Sequence, residues 1–186
     1  YDHGTVREAV ARRDCRLAVR TGEQSDRLEA DSLRIEFLNG LMAGASAGGK
    51  VRGRSEGSGI RRELSSDRLD VSYHEGIFSS FEQSGSVSLR ETDSAGSYEI
   101  SAEKTRFEEE GQVLTAEGGR PVMIITESDP GGIRKIETRA TLIRLSQADS
   151  LLEAEGEVES IYYREEGSFV FVAAVMKMDP PAAEPA

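Results

Sequence analysis

In Leu33-Arg34-Ile35-Glu36-Phe37, and again in Leu69-Asp70-Val71-Ser72-Tyr73, apolar and polar residues alternate strictly. That alternation is expected of a strand with one buried face. Both segments belong to a larger unit, because Leu28 to Phe37 matches Leu64 to Tyr73 in character at nearly every position, 36 residues further on. The same step leads to Ile100-Ser101-Ala102-Glu103 and then to Ile136-Glu137-Thr138-Arg139, which gives four copies. A turn follows the strand in each of the first three. Asn39-Gly40 is a strong two-residue hairpin signal, since both central residues of a type I′ turn need positive φ, and Glu75-Gly76 and Glu110-Gly111 are weaker forms of it. Each copy then returns to Gly-x-Val, as in Gly49-Lys50-Val51, Gly85-Ser86-Val87 and Gly156-Glu157-Val158.

The parity of the apolar positions changes within each copy. Leu28 and Ala30 are even whereas Leu33, Ile35 and Phe37 are odd, so keeping both sets buried requires an extra residue or a bend at Asp31, Asp67 and Glu103. The acidic residue is expected to satisfy backbone donors at that corner. Helix signals are few: Thr5 to Arg13 is read as a short helix capped by Thr5, after which Cys15, Leu17 and Val19 alternate as a strand. Asp129-Pro130-Gly131-Gly132 reads as a loop. The apolar run Phe169 to Met176 is far shorter than the roughly 20 residues of a bilayer span and reads as a buried final strand covering an edge.

These elements predict an all-β fold, an antiparallel β jelly roll or twisted roll built from four 36-residue strand-turn-strand repeats. One domain is expected over residues 1–178, with a disordered Pro/Ala-rich tail at 179–186. Its interior would be lined by Leu28, Leu33, Ile35, Phe37, Val51, Leu64, Leu69, Val71, Tyr73, Phe78, Val87, Ile100, Phe107, Val113, Ile136, Ile143, Leu145 and Val158.

Composition narrows the choice of partner. With 23 Lys+Arg against 34 Asp+Glu the formal charge is -11, which argues against nucleic acid or an anionic membrane surface as an electrostatic partner. The single cysteine, Cys15, excludes an internal disulfide, a CxxC pair and a thiolate zinc cluster. One repeat before Val51, it occupies a place that Val fills elsewhere and reads as a small buried hydrophobe. The chain opens at Tyr1 without Met, basic n-region or apolar h-region, so whether a targeting or anchoring segment precedes it stays open.

Repeats of the form apolar-x-Ala-Asp-x-Leu-x-apolar-x-aromatic, a Gly turn and an Ala-x-Gly-x-Val return resemble the OstA-like family. That family includes the periplasmic lipopolysaccharide-transport proteins LptA and LptC. The residues carrying the resemblance are Leu28 to Leu33 with Ala47 to Val51, Ser66 to Leu69 with Gly85 to Val87, Ile100 to Glu103 with Ala116 to Gly118, and Ala154 to Val158, so that it covers Cys15 to Ser160. The resemblance implies a periplasmic, non-enzymatic protein without cofactor. Its apolar groove would hold the acyl chains of lipopolysaccharide or another lipid, and its open edges would pair with other β jelly-roll domains or with itself. On this reading the lipid contacts are Leu33, Ile35, Phe37, Leu69, Val71, Tyr73 and Phe107. A structural or adhesive β-repeat domain with a filled core and no lipid ligand is the alternative.

Other constellations carry less. His3 and His74 are too few for a multi-histidine metal site, and His74 reads as a solvated turn residue. Asp31, Asp67 and Glu103 share a repeat position, but the dense Asp/Gly loops of calcium-binding rolls are missing. Gly44 to Lys50 fails the Walker spacing, and Ser65-Ser66 and Ser79-Ser80 lack in-register His and Asp partners, so no catalytic residue is assigned.

Overall fold

The computed structural model describes residues 7–129, 132–149, 151–164 and 167–178. Among them every regular element is a β-strand: β1 (Glu8–Thr21), β2 (Gln24–Leu38), β3 (Leu41–Gly57), β4 (Ile60–His74), β5 (Ile77–Thr92), β6 (Gly96–Glu108), β7 (Val113–Glu117), β8 (Val122–Asp129), β9 (Gly132–Arg139), β10 (Leu142–Ser146), β11 (Leu151–Arg164) and β12 (Gly167–Met178). The all-β antiparallel expectation holds. The loop expected at 129–132 and the tail at 179–186 lie wholly or partly outside the described residues, as does His3.

Strands β1 to β6 form a meander of hairpins in sequence order. Asn39 and Gly40 carry φ of 53° and 81°, and Glu75 and Gly76 carry 52° and 80°, so both turns have the positive-φ pair that a right-twisted hairpin requires. Two more two-residue turns stand half a repeat away, Ser58-Gly59 between these two and Gly22-Glu23 before the first. The structural unit is therefore one strand and one turn, half of the sequence repeat.

Each strand of the meander bends once. Pairing registers slip between Arg12 and Cys15, Glu29 and Ser32, Gly48 and Val51, Ser65 and Arg68, and Ser84 and Val87, which puts bends at Asp31 and Asp67 as the parity change requires. The corner is built from a carboxylate on one strand and a glycine on the next. Gly49 and Gly85 have φ of +73° and +72°, and a Cβ on them would lie 2.4 Å and 2.1 Å from Oδ2 of Asp31 and Asp67. Only glycine provides both the left-handed backbone and the space. The corner carboxylates thus pack against an α-carbon, and no backbone donor among the described residues reaches them, contrary to the acceptor role expected of them.

The bends sort the strand halves into two layers joined along a spine of corners. Layer one holds the first halves of β1, β3, β5 and β11, the second halves of β2, β4, β6 and β12, and β7 and β10; layer two holds the remaining halves with β8 and β9. β7 turns through Gly118 to Pro121 into β8, and β9 turns through Ala140-Thr141 into β10. These pairs act as two further bent strands, and the pairings β6-β7-β10-β11-β9-β8 close a six-membered ring. β1 and β12 are the outer strands.

Four sequence expectations are corrected. Residues 8–13 belong to strand β1, paired with β2 from Glu8↔Glu36 to Arg12↔Ser32, because tertiary pairing outweighs a weak local helix preference. The fourth copy is displaced by two residues: Thr138, not Ile136, aligns with Ile100 through Met123, since the β7–β8 corner differs in length from the earlier ones. Val113 faces away from the interior, which its neighbour Leu114 fills at 2% exposure. The run Phe169 to Met176 is an edge strand but not a buried one, with Phe169, Val170 and Phe171 each 60% exposed and Val172 80%, because over these four residues neither face is covered.

An apolar groove between two layers

Cross-strand pairing assembles the inner faces row by row. In layer one, Ala9, Ile35, Ala45, Val71, Phe81, Phe107, Leu114, Leu145, Leu152 and Met178 lie opposite one another on successive strands, a row apolar from end to end. One row nearer the spine run Leu33, Ala47, Leu69, Gln83, Thr105, Ala116 and Ile143. Facing them in layer two are Leu17, Leu28, Gly53, Leu64, Leu89, Ile100 and Met123. Alternation along each strand is what collects these residues on one side.

The two halves of this interior differ. From β6 to β11 it is filled: Ile100, Leu114, Met123, Ile143, Leu152 and Val158 pack into one cluster. From β1 to β5 a smaller buried cluster of Ala30, Ala47, Val51 and Leu69 lies along the spine, and beyond it the inner residues Leu28, Leu33, Ile35, Phe37, Leu64, Val71, Tyr73 and Phe81 are only half-buried, leaving a groove. Strand β3 supplies the space, because its inner positions are Ala45, Ala47, Gly53 and Ser55. One repeat later the places of Ala45 and Gly53 are taken by Phe81 and Leu89, and the groove narrows.

All seven sequence-predicted contacts, Leu33, Ile35, Phe37, Leu69, Val71, Tyr73 and Phe107, fall on the inner face of layer one, with Leu69 the most buried of them. Phe37 and Tyr73 stand at the turn end, where bulges after Glu36 and Ser72 shift the register. Aromatic contacts continue from Tyr73 to Phe78, Phe78 to Phe107 and Phe107 to Phe81, with ring centroids 6.2, 6.1 and 5.6 Å apart. The contact list leaves out the opposite wall of Leu17, Val19, Leu28, Leu64 and Leu89, and also Phe81. Phe81 and Leu89 escape a repeat-based reading because the equivalent places one copy earlier hold Ala45 and Gly53.

Two hollows lie in the open part, and of the seven predicted contacts Phe107 lines one of them while Leu33, Ile35, Phe37, Leu69, Val71 and Tyr73 line neither. One of about 240 Å³ is bounded by Leu17, Val19, Leu28, Leu64, Phe81 and Leu89, together with the edges of polar neighbours. The second, of about 380 Å³, shares Arg62, Phe81 and Leu89 with it and extends to Phe78, Phe107, Leu114, Tyr98 and Gln147. Polar groups gather at its far end. Arg62 pairs with Glu91, Tyr98 Oη donates to Glu91 Oε2 at 3.2 Å, and Gln147 Nε2 donates to Tyr98 Oη at 3.1 Å. Burial, with the Glu91 charge beside it, holds the Tyr98 hydroxyl well above the ordinary tyrosine value. Burial also raises Tyr73, with the Asp26 charge adding to it.

Among the described residues no three His, Cys, Asp or Glu side chains come together to hold a metal ion. Cys15 is buried at 7% exposure in the Val position of its repeat. The outward faces carry exposed ion pairs such as Arg34–Glu36, Arg106–Glu108 and Arg144–Glu155, each of which contributes at most about 1 kcal/mol. No helix among the described residues is long and apolar enough to cross a membrane.

No family model matches the chain, and no curated protein matches it.

Proposed function

We propose that this protein binds the acyl part of a lipid in the groove between the β1–β5 halves of its two layers, without catalysis. The observation that carries the reading is an apolar inner row unbroken across ten strands whose lining stays half-buried where β3 contributes only small side chains. Each methylene taken from water contributes about 0.8 kcal/mol, enough for part of one chain to outweigh repulsion between an anionic headgroup and a protein of charge -11. The lipid is held by its tails. In keeping with the OstA-like resemblance, the proposal places the protein in the periplasm, binding lipopolysaccharide or a related lipid, and gives the outer strands β1 and β12 the task of pairing with neighbouring β domains.

Capture of a fluorescent lipid A tests the groove. The parent should bind saturably, while Phe37→Asp and Val71→Asp, on strands folded as in the parent by circular dichroism, should bind at least about tenfold more weakly, the loss of about 1.4 kcal/mol. Equal capture by parent and variants would sink the groove assignment. The exposed apolar β12 favours a second reading, a structural or adhesive domain that assembles through its edges. Concentration-dependent oligomers seen by light scattering, with no saturable lipid capture, would select it.

A further inference from the structure

The Tyr98–Gln147 contact joins the two layers where the groove ends against the filled half. Tyr98 stands in layer two on β6, and Gln147 follows β10 in layer one, so the hydrogen bond between them ties the layers together across the mouth. Both residues line the 380 Å³ hollow on the β4–β7 side and a second hollow, of about 480 Å³, on the β8–β10 side. The second hollow has an apolar part as well, formed by Met123, Ile125 and Leu145. Without the tyrosine ring and the amide the two spaces would adjoin above the filled floor of Ile100 and Leu114. Tyr98 is fixed from both sides, by Glu91 within its own layer and by Gln147 from the other. Gln147 is in turn held through its backbone, its N–H donating to the Gln112 carbonyl at 2.9 Å.

We infer that Tyr98, positioned by Glu91 and Gln147, is the end wall of the groove and sets the longest unbranched acyl chain the protein accepts. The inference rests on the proposal that the groove binds lipid. A chain lying along Leu28, Leu64 and Phe81 gains contact with every methylene until its end meets the ring, after which added methylenes remain in water.

Displacement of a groove-bound naphthylamine dye by saturated fatty acids of about 8 to 18 carbons tests this, because affinity should rise roughly fourfold per methylene and then level off. Tyr98→Ala should move the plateau to longer acids. Gln147→Ala, which removes only the amide on the turn after β10, should move it in the same direction and stands in if Tyr98→Ala does not fold. Tyr98→Phe, which keeps the ring, should retain the parent plateau. A plateau unmoved in Tyr98→Ala and Gln147→Ala, or an affinity that climbs without levelling in the parent, overturns the end-wall assignment while leaving the lipid groove standing. No displacement by any acid overturns the lipid reading itself.

Discussion

The β1–β5 and β6–β11 halves of this protein share one architecture and differ in what fills it. Both are bent strands folded along a spine of corners, with inner rows in register across the whole sheet. In the second half the two layers meet over Ile100, Leu114, Met123 and Ile143, each at 2% exposure or less. In the first half they meet only over a smaller cluster, Ala30, Ala47, Val51 and Leu69, against which Leu28, Leu33, Leu64, Val71 and Phe81 pack half-buried. Within the first half, β3 presents Ala45, Ala47 and Gly53 where β5, next to the filled half, presents Phe81, Gln83 and Leu89. A Cβ on Gly53 would already meet Leu64 Cγ at 2.8 Å, so Leu64 occupies space that β3 gives up. Whether such a fold is a core or a container is thus decided by side-chain size at a few equivalent positions, with the backbone unchanged.

The largest effect that would test this comparison is on stability. Ile100→Ala should cost about 2–5 kcal/mol in urea unfolding, as expected of a fully packed aliphatic, whereas Ile35→Ala in the groove should cost about 1 kcal/mol. Equal losses would show that the first half is as tightly packed as the second.

The comparison also shows what the sequence could and could not tell. Period-2 alternation and the 36-residue step were enough to predict the strands that carry the first three copies, the hairpin turns at Asn39 and Glu75, the corners at Asp31 and Asp67, and the burial of Cys15, but not the strand at residues 8–13 or the register of the fourth copy. They were enough because each depends on local geometry that must recur in every copy. Alignment of copies averages out departures from the pattern, and those departures make the groove: Phe81 against Ala45, Leu89 against Gly53, Tyr98 against Arg62. The Tyr98–Gln147 bridge joins residues 49 apart in sequence and leaves no periodic trace. The buried Thr105–Gln83 and Thr138–Ser160 hydrogen bonds, each 2.9 Å, interrupt apolar rows for reasons visible only across strands. The exposure of β12 was hidden for the opposite reason, since an apolar run reads as buried wherever it ends up.

A smaller effect sharpens the comparison on the binding side. Ala45→Phe, which gives β3 the side chain that β5 carries one repeat later, should fill the groove and weaken capture of fluorescent lipid about tenfold, the equivalent of about 1.4 kcal/mol, while stability holds or rises. Undiminished capture would place the lipid elsewhere. The smallest expected effect concerns the boundary between the halves. The Tyr98 hydroxyl ionises less readily folded than unfolded, so the stability it contributes is whole below the ordinary tyrosine value of 10.0 and declines as pH rises above it. Tyr98→Phe should therefore show a shallower alkaline decline in melting temperature than the parent, and parallel pH profiles would mean that Tyr98 does not titrate across unfolding.

The in-phase corners give the molecule an adjustable span. Adjacent strands lie about 4.8 Å apart, so one 36-residue copy, which contributes two strands, adds about 10 Å to the trough without altering its cross-section. A copy inserted between the Asn39-Gly40 and Glu75-Gly76 turns would enter with its own two corners, its own two turns and the inner face already facing inward. Reach and caliber are therefore separate traits in this protein: the number of copies sets the first, and the size of the side chains at a few equivalent places in each copy, Ala45 or Phe81 and Gly53 or Leu89, sets the second.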